Sequence, residues 1–418
     1  MRIAITGASG FVGRQLVPLL RNKGVEILLI GRDPEALRRA FPQCNVVSYT
    51  DLSAAADFDS LLHLAVINND QAADPTEIQR VNVDMPVDLC RQARALGIRR
   101  FIFVSSIHAL DHSNRSDYAT SKRLAVERLS DISGIEKWGL YLPAVVGGEL
   151  AGRLALVSRL PGFLQELALL SLRSLKPTVS IARITETILD LPETENPAIT
   201  LVIVADDQSA NNVYRTAKRF IDIVFSLSII VLLWWAMLII WAAIRLQSPG
   251  PGIFLQDRIG RNEQVFTCLK FRTMYVSAPN VGTHEVPAAA VTPLGHFLRR
   301  TKLDELPQVI NILRNDMSLV GPRPCLPNQA NMIIERRARR VFEIKPGITG
   351  LAQVRGIDMS DPAGLATCDH EYLQLQSLLL DFKIILQTAR GAGSGDKIST
   401  AASSPDESAN PSVKSDRQ

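Results

Sequence analysis

The 418-residue chain is 46% hydrophobic and 21% charged, with 25 glycines and five cysteines, which excludes a wholly disordered, collagen-like or disulfide-scaffolded protein and is enough for two or three domains. Its net charge of +4 is uneven: residues 1–212 are mildly acidic, 213–390 are clearly basic and 391–418 are near neutral, so the second half suits anionic partners. The cysteines at 44, 90, 268, 325 and 368 form no C-x-x-C pair, which argues for a reducing compartment and against a zinc site.

The chain opens directly on a strand pattern, Arg2 to Thr6, and not on the basic and apolar regions of a signal peptide. Strands predicted at 2–6, 26–30, 61–66 and 101–105 alternate with helices at 11–23, 34–40 and 83–96, the rhythm of a Rossmann-like doubly wound parallel sheet. Residues 141–204 continue less regularly, through Val146-Gly147-Gly148, a leucine-rich helical run near 153–175 and a strand at 200–204. A polar link from Asp206 leads to Arg215, Lys218 and Arg219, then to Ile223–Ile244, 22 residues without a charge that include Trp234, Trp235 and Trp241. At 1.5 Å per residue that run reaches across a bilayer core of about 30 Å, and it explains a mean hydropathy of +0.10. After residue 390 a Gly/Ser-rich polar stretch reads as a disordered tail. The expected organisation is a dinucleotide-binding domain at 1–205, a linker at 206–219, a membrane helix at 220–245, a second catalytic domain at 246–390 and a tail at 391–418.

Thr6-Gly7-Ala8-Ser9-Gly10-Phe11-Val12-Gly13 follows the first strand and opens the first helix, the setting that a dinucleotide phosphate loop requires. Gly7 permits the tight turn, Gly10 lets backbone approach a pyrophosphate, and Gly13 lets the helix pack on the sheet. A glycine-bearing strand–helix turn would read the same way. Tyr118-Ala119-Thr120-Ser121-Lys122 sets a phenol and an ammonium one helical turn apart, where the cation favours the phenolate and readies Tyr118 for proton transfer. Alone, that pair also fits a solvated helix face. With Phe101-Ile102-Phe103-Val104-Ser105-Ser106, His63-Leu64-Ala65 and Asn82, the set resembles the extended short-chain dehydrogenase/reductases of nucleotide-sugars, over roughly residues 1–205.

The resemblance implies Ser106, in preference to Ser105, at the substrate hydroxyl, Tyr118 as proton donor and Lys122 as its activator. It implies a dinucleotide held by Gly7, Gly10, Phe11, Val12, Gly13, Arg32, His63 and Lys122. Ile30-Gly31-Arg32 ends the second strand with a cation suited to a 2′-phosphate, so NADP(H) is expected ahead of NAD(H), which Asp33 keeps open. Only 11 residues separate Ser106 from Tyr118, short for this family, and the part after Tyr141 is compressed. A domain that binds nucleotide or sugar without turnover is the alternative.

In the second half Asp304 and Glu305 follow Arg299, Arg300 and Lys302 and precede the helical pattern Leu306, Val309, Ile310, Leu313. Pro307 fits a first helical turn, which places both carboxylates at a helix N-terminus where dipole and cations keep them ionised. An ionised aspartate can attack a diphosphate, and a second carboxylate can help hold Mg²⁺; a solvated acidic pair is the plain alternative. Together with Ser248-Pro249-Gly250-Pro251, Lys270-Phe271-Arg272-Thr273-Met274, Val320-Gly321-Pro322-Arg323-Pro324 and Lys345-Pro346-Gly347-Ile348-Thr349-Gly350, the stretch 213–390 resembles the small monotopic phosphoglycosyl transferases. The resemblance implies an aspartyl-phosphosugar intermediate on Asp304, Mg²⁺ at Asp304 and Glu305, and substrate phosphate contacts from Lys270, Arg272, Arg299 and Arg323. Glu335 to Arg340 is either a seat on anionic lipid headgroups or a solvated basic face.

In that family the membrane segment is a re-entrant helix bent at a Ser-Pro pair; here Trp234-Trp235 takes that place and the run has no proline. Cations flank both ends, so charge gives no orientation. Both catalytic domains are expected on the cytoplasmic face of a bacterial inner membrane, which favours re-entry over spanning, with two limbs of about 11 residues each reaching about 16 Å and Ser226 or Ser228 meeting freed backbone groups. The fold expected is therefore α/β: the Rossmann-like sheet, a membrane-inserted re-entrant helix and a small, mainly helical monotopic transferase domain. The function implied is bifunctional: reduction of UDP-4-keto-6-deoxy-N-acetylglucosamine, then transfer of N-acetylquinovosamine 1-phosphate from UDP to undecaprenyl phosphate. Expected partners are a UDP-sugar, undecaprenyl phosphate and membrane lipids, with homo-oligomers open and no nucleic acid. A membrane scaffold without chemistry is the remaining reading, and the intact Asp304-Glu305 pair speaks against it.

Overall fold

The computed structural model describes residues 1–67, 74–111, 113–147, 161–194, 197–276 and 290–393. Gly148, the first part of the leucine-rich run and the expected tail beyond Gly393 lie outside the described residues. The chain divides into two compact units, Met1–Phe220 with His370–Lys383, and Ile221–Asp369 with the chain from Ile384.

In the first unit, β1 (Arg2–Thr6), β2 (Glu26–Gly31), β3 (Asn45–Ser48), β4 (Ser60–His63), β5 (Arg100–Ser106) and β6 (Glu136–Leu142) form a sheet; β7 (Ala144–Val146) and β8 (Thr178–Ser180) pair apart from it, and β9 (Thr200–Ile203) joins its edge. The order is β3-β2-β1-β4-β5-β6-β9, every pairing parallel. Helices α1 (Phe11–Asn22), α2 (Pro34–Ala40), α3 (Pro75–Gln79), α4 (Met85–Ala95), α5 (Asp117–Ser130), α6 (Gly162–Leu175) and α7 (Ile181–Leu189) complete it. Ile3 and Ile5 of β1 enter one core with Leu16 and Leu20 of α1 and Ile184 and Ile188 of α7. Ala4 faces the other way, into a core with Cys90 and Ala93 of α4 and Ala125 and Leu129 of α5. With both faces covered, the strands read as continuous apolar runs, which is why the sequence announces them. Strand order reverses between β1 and β4, and Thr6 sits level with Ile30 on one side and His63 on the other. That reversal opens the crevice where doubly wound sheets bind ligands.

Helix α8 (Asn212–Gln247) is a single element of 36 residues. The break expected near Trp234-Trp235 is absent: nothing between 212 and 247 is proline or glycine, so no carbonyl is forced to lose its donor. Ser228 donates to the Val224 carbonyl inside the helix, and the Trp235 indole N–H to the Leu232 carbonyl, 3.0 Å. Only 6% of the most apolar 18-residue window is buried, which distinguishes α8 from a core helix.

The second unit holds the hairpin β10 (Ile253–Ile259) and β11 (Val265–Phe271), α9 (Pro293–Thr301), α10 (Gln308–Leu313), and β12 (Ser318–Val320), which pairs in parallel with β13 (Gly347–Thr349) across α11 (Ala330–Ala338). Helices α12 (Leu351–Val354), α13 (Pro362–Leu375) and α14 (Leu378–Ala389) follow in the chain, with His370–Lys383 of the last two belonging to the first unit.

Candidate functional site

The crevice of the first unit begins at the β1–α1 turn. Gly7 has φ +77°, and a Cβ there would lie 2.4 Å from the Ala65 nitrogen; a Cβ on Gly13 would lie 2.5 Å from Ala8. Neither position tolerates a side chain. Gly10 caps α1 without any side-chain bond to its first N–H groups, and a Cβ there would meet only the Gly7 carbonyl, at 3.3 Å. The uncapped helix start fits a pyrophosphate. Phe11 is exposed and Val12 half-buried beside it. Arg32 is exposed just past β2, whereas the Asp33 carboxylate is engaged as the N-cap of α2, accepting from the Ala36 N–H at 3.0 Å.

His63 is buried, its Nδ1 2.7 Å from the Thr6 hydroxyl and its ring stacked near Phe101 and Phe103. Burial, then Lys122, lowers its pKa to about 3, so it is neutral. Its Nε2 has no partner among the described residues. Ser106 bonds the Tyr118 phenol, while the Ser105 hydroxyl is buried and without a partner among the described residues. Lys122 is buried as well. Its Nζ donates to the Val104 carbonyl at 3.0 Å and lies 4.6 Å from the Phe103 ring centre, and burial lowers its pKa to about 7. Tyr118 is raised by burial, with only Ser106 opposing. The Lys122 Nζ is turned to the Val104 carbonyl of β5. Asn82 ties the two elements together, donating to the Ile67 carbonyl and the Ser121 hydroxyl and accepting from the Ile67 N–H.

In the second unit Asp304 and Glu305 lie in a 3₁₀ turn, Leu303–Glu305, entered through left-handed Lys302 (φ +57°), with Pro307 capping α10 immediately afterwards. Glu305 is buried and accepts from Lys270 (3.3 Å) and Arg323 (2.9 Å). These cations outweigh the burial that opposes them and hold its pKa down at about 2. Asp304 is different: burial and then the Glu305 charge raise it to about 6, against Lys270, Arg323 and Arg299. The adjacent carboxylates are therefore not alike, although both pKa values lie below 7.

Arg323 rides on a fixed loop. The Pro322 carbonyl accepts from the Gly347 N–H, the Arg323 carbonyl from Arg336 (2.8 Å), the Pro324 carbonyl from Arg258 (2.9 Å) and the Cys325 carbonyl from the Ile259 N–H. Four consecutive carbonyls are bonded, and two prolines fix φ. Arg258 is buried, forked onto the Gln256 side chain, and burial then Arg323 lower its pKa to about 10. The sequence does not single out Arg258, and it offers Arg336 only within the basic stretch Glu335 to Arg340. Arg336 is 2% exposed and paired through two donors with buried Asp369, so it is not on a lipid-facing surface. Its neighbours Arg337, Arg339 and Arg340 pair with Glu263, Glu335 and Glu343. The clue was the i, i+4 spacing of Met332 and Arg336, both buried.

Lys270 and Arg299 join Arg323 around the carboxylates, Arg299 also donating to the Thr273 hydroxyl at 2.9 Å. Arg272 does not. It is buried and donates to the Ser248 carbonyl and hydroxyl and the Pro249 carbonyl, so it caps the C-terminal end of α8 instead of facing a phosphate. Asn311, missed in the sequence, fastens β11 to α10 by accepting from the Leu269 N–H and donating to the Thr267 carbonyl, which sets Lys270 opposite Glu305.

A bacterial sugar transferase family model matches residues 213–394, and an NAD dependent epimerase/dehydratase family model matches residues 3–131. The UDP-glucose:undecaprenyl-phosphate glucose-1-phosphate transferase of Caulobacter vibrioides is 39% identical over 186 residues, 41% of this chain and 67% of that one. The uncharacterized sugar transferase EpsL of Bacillus subtilis is 36% identical over 173 residues, covering 41% and 85%. Of several longer relatives the chain spans only 35% to 43%. Among solved structures, a short-chain dehydrogenase/reductase superfamily protein from Agrobacterium tumefaciens with bound NAD has a TM-score of 0.39 at 19% identity, over 50% of this chain and 78% of that one. The chain thus belongs to the bacterial sugar transferase family, and it carries ahead of that domain one of the epimerase/dehydratase type.

Proposed function

We propose that the chain reduces a UDP-4-keto-sugar in its first half and transfers the sugar 1-phosphate from UDP to undecaprenyl phosphate in its second. The observation that carries the transferase is the unequal carboxylate pair, Glu305 spent on Lys270 and Arg323, Asp304 left with the higher basicity beside it. In such pairs, environments that push two pKa values apart assign the roles. Arg323, Lys270 and Arg299 bind the diphosphate, Arg323 from a pre-set fork. The Asp304 carboxylate attacks the phosphorus that bears the sugar; the bond from that phosphorus to the oxygen bridging to the α-phosphate breaks, and UMP leaves with the electron pair. A phosphate oxygen of the polyprenyl carrier then attacks the same phosphorus and Asp304 departs as carboxylate. Mg²⁺ takes one or two carboxylates alongside substrate phosphates, so Asp304 and Glu305 fit it, and it would neutralise the diphosphate. No set of three or more His, Cys, Asp or Glu among the described residues could hold a metal unaided.

In the first half the uncapped start of α1 and the bare Gly10 fit a dinucleotide, with Arg32 free of the capping role that Asp33 fills and suited to a 2′-phosphate. NADP(H), when bound, supplies the hydride. Ser106 orients the keto oxygen and Tyr118 protonates it. The raised Tyr118 phenol favours a second reading, a module that binds nucleotide without turnover. One experiment separates these: full-length protein with Mg²⁺, NADPH, undecaprenyl phosphate and UDP-4-keto-6-deoxy-N-acetylglucosamine should oxidise NADPH and release UMP. Tyr118→Phe should abolish the first and Asp304→Asn only the second. NADPH oxidation unchanged in Tyr118→Phe would leave the non-catalytic module.

The chain would sit on one face of the bacterial inner membrane, both sites cytoplasmic. Asp222, at the start of the uncharged run, accepts from the Ser318 hydroxyl (3.0 Å) and Leu319 N–H (2.8 Å); at its end Ile244 packs with Phe271 and Leu298, and Arg272 caps Ser248. A bilayer-spanning α8 would put those two attachments to one folded unit on opposite sides. A helix lying along that unit, with Val224, Leu227, Val231, Trp234 and Leu238 turned outward at helical spacing, satisfies both.

A further inference from the structure

Helix α6 is mostly apolar, and four of its large apolar residues are exposed. Glu166 and Arg173 are its only charged residues, and Ser174 is its only buried one. Phe163 is 73% exposed, Leu167 52%, Leu175 43% and Leu164 38%, and Leu169, Leu170 and Leu172 are half-buried. Large apolar side chains gathered in the open on one helix mark a surface for an apolar contact.

What stands next to it is the root of α8. Asn211 accepts from the Val213 and Tyr214 N–H groups, capping α8, and the same side chain donates to the Leu170 carbonyl (3.2 Å) and the Ser174 hydroxyl (3.1 Å) of α6. Gln208 donates to the Arg173 carbonyl at 2.6 Å, and both amides are buried. The last turn of α6 and the first of α8 are thus one hydrogen-bonded knot. From Asn212 to Ile223 the basic lead-in of α8 rises about 16 Å, and the 14 residues of α6 extend about 21 Å. Its most exposed residue, Phe163, lies at the end of α6 away from the knot.

We propose that α6 is a second lipid-contacting helix, lying at the headgroup–acyl boundary and holding the first unit on the bilayer that α8 enters. The proposal rests on the membrane placement of α8 and on neither catalytic reading. The compressed part of the reductase-like domain would then be a membrane foot.

The test uses the full chain with Cys44, its one cysteine that is not buried, replaced by serine. Single cysteines at Phe163, at Trp235 in α8 and at exposed Lys23 carry an NBD fluorophore, in vesicles of phosphatidylethanolamine and phosphatidylglycerol. The Phe163 label should emit to the blue of the Lys23 label and be quenched by nitroxide-bearing lipids at least half as strongly as the Trp235 label. Quenching by aqueous iodide equal to that of Lys23 would overturn the proposal. So would shielding from iodide without lipid quenching, the signature of a second copy or another chain segment over α6. Failure of lipid quenching at Trp235 would remove the placement of α8 itself.

Discussion

Asp304 and Glu305 are neighbours in sequence and opposites in surroundings, and the difference comes from which cations reach which oxygen. Lys270 and Arg323 both close on Glu305, so the Arg323 loop decides how much charge Asp304 keeps. If Arg258 works by seating that loop, Arg258→Met should lower UDP affinity of the full-length protein about 10- to 100-fold, the range for charge-assisted bonds of about 1.5–3 kcal/mol. In an Arg323→Ala background the same change should cost less than threefold, because the residue it positions is gone. Equal losses in both backgrounds would show that Arg258 acts independently. Lys122 provides a pH signature in the protein without dinucleotide. Its folded pKa is depressed to about 7 from 10.5, so the unfolded chain holds more protons between those values. Stability should rise with pH across that window, by at most about 1.4 kcal/mol per unit, and Lys122→Met should flatten the slope in thermal unfolding from pH 7 to 9. Both carboxylates were legible from their motif. Their inequality was not, because it depends on Arg323 and Lys270, which approach from other elements.

Elements explain what single residues were mistaken for. Arg272 lies in a motif rich in cations, and only the end of α8 shows that its fork is occupied by three acceptors of the Ser248-Pro249 turn. Arg272→Lys should destabilise the second unit by about 1–3 kcal/mol and change UDP affinity less than twofold; a tenfold loss of affinity at unchanged stability would return it to the phosphate site. At the other end of the run, Asp222→Ala leaves two donors of β12 unbonded, and urea unfolding in detergent should report a loss of about 2–5 kcal/mol. The apolar run was plain in the sequence because nothing charged interrupts it. Its continuity was not, since Trp234-Trp235 replaces the helix-breaking pair that family likeness supplied, and helical bonding persists where no proline stands. β1, β2, β4 and β5 were similarly plain, being buried on both faces. β6 was hidden because Glu136 and Lys137 open it, and Lys137 is buried with its ammonium on the Ile132 and Pro197 carbonyls.

At the scale of the molecule, the division into units falls inside α8 and returns His370–Lys383 to the first unit. There Lys218, Tyr214 and Tyr372 gather on buried Asp381. No local pattern announces such a cluster, whose members lie up to 167 residues apart. The basic excess of the second half now has addresses: some of it neutralises Glu305, some fixes the loop of Arg323, and Arg337, Arg339 and Arg340 answer acidic neighbours. One-sided placement predicts that maleimide reagents applied outside sealed inverted vesicles label cysteines at both Val213 and Gly250; labelling of only one would indicate a spanning helix.

The transfer reaction turns on a covalent step at Asp304. Full-length protein given Mg²⁺ and a UDP-sugar, without undecaprenyl phosphate, should release UMP in a single burst and yield an Asp304 peptide heavier by one sugar phosphate in mass spectrometry, a mass lost when the carrier is added. UMP release only in the presence of carrier, with the Asp304 peptide never modified, would mean direct transfer with no covalent step at Asp304.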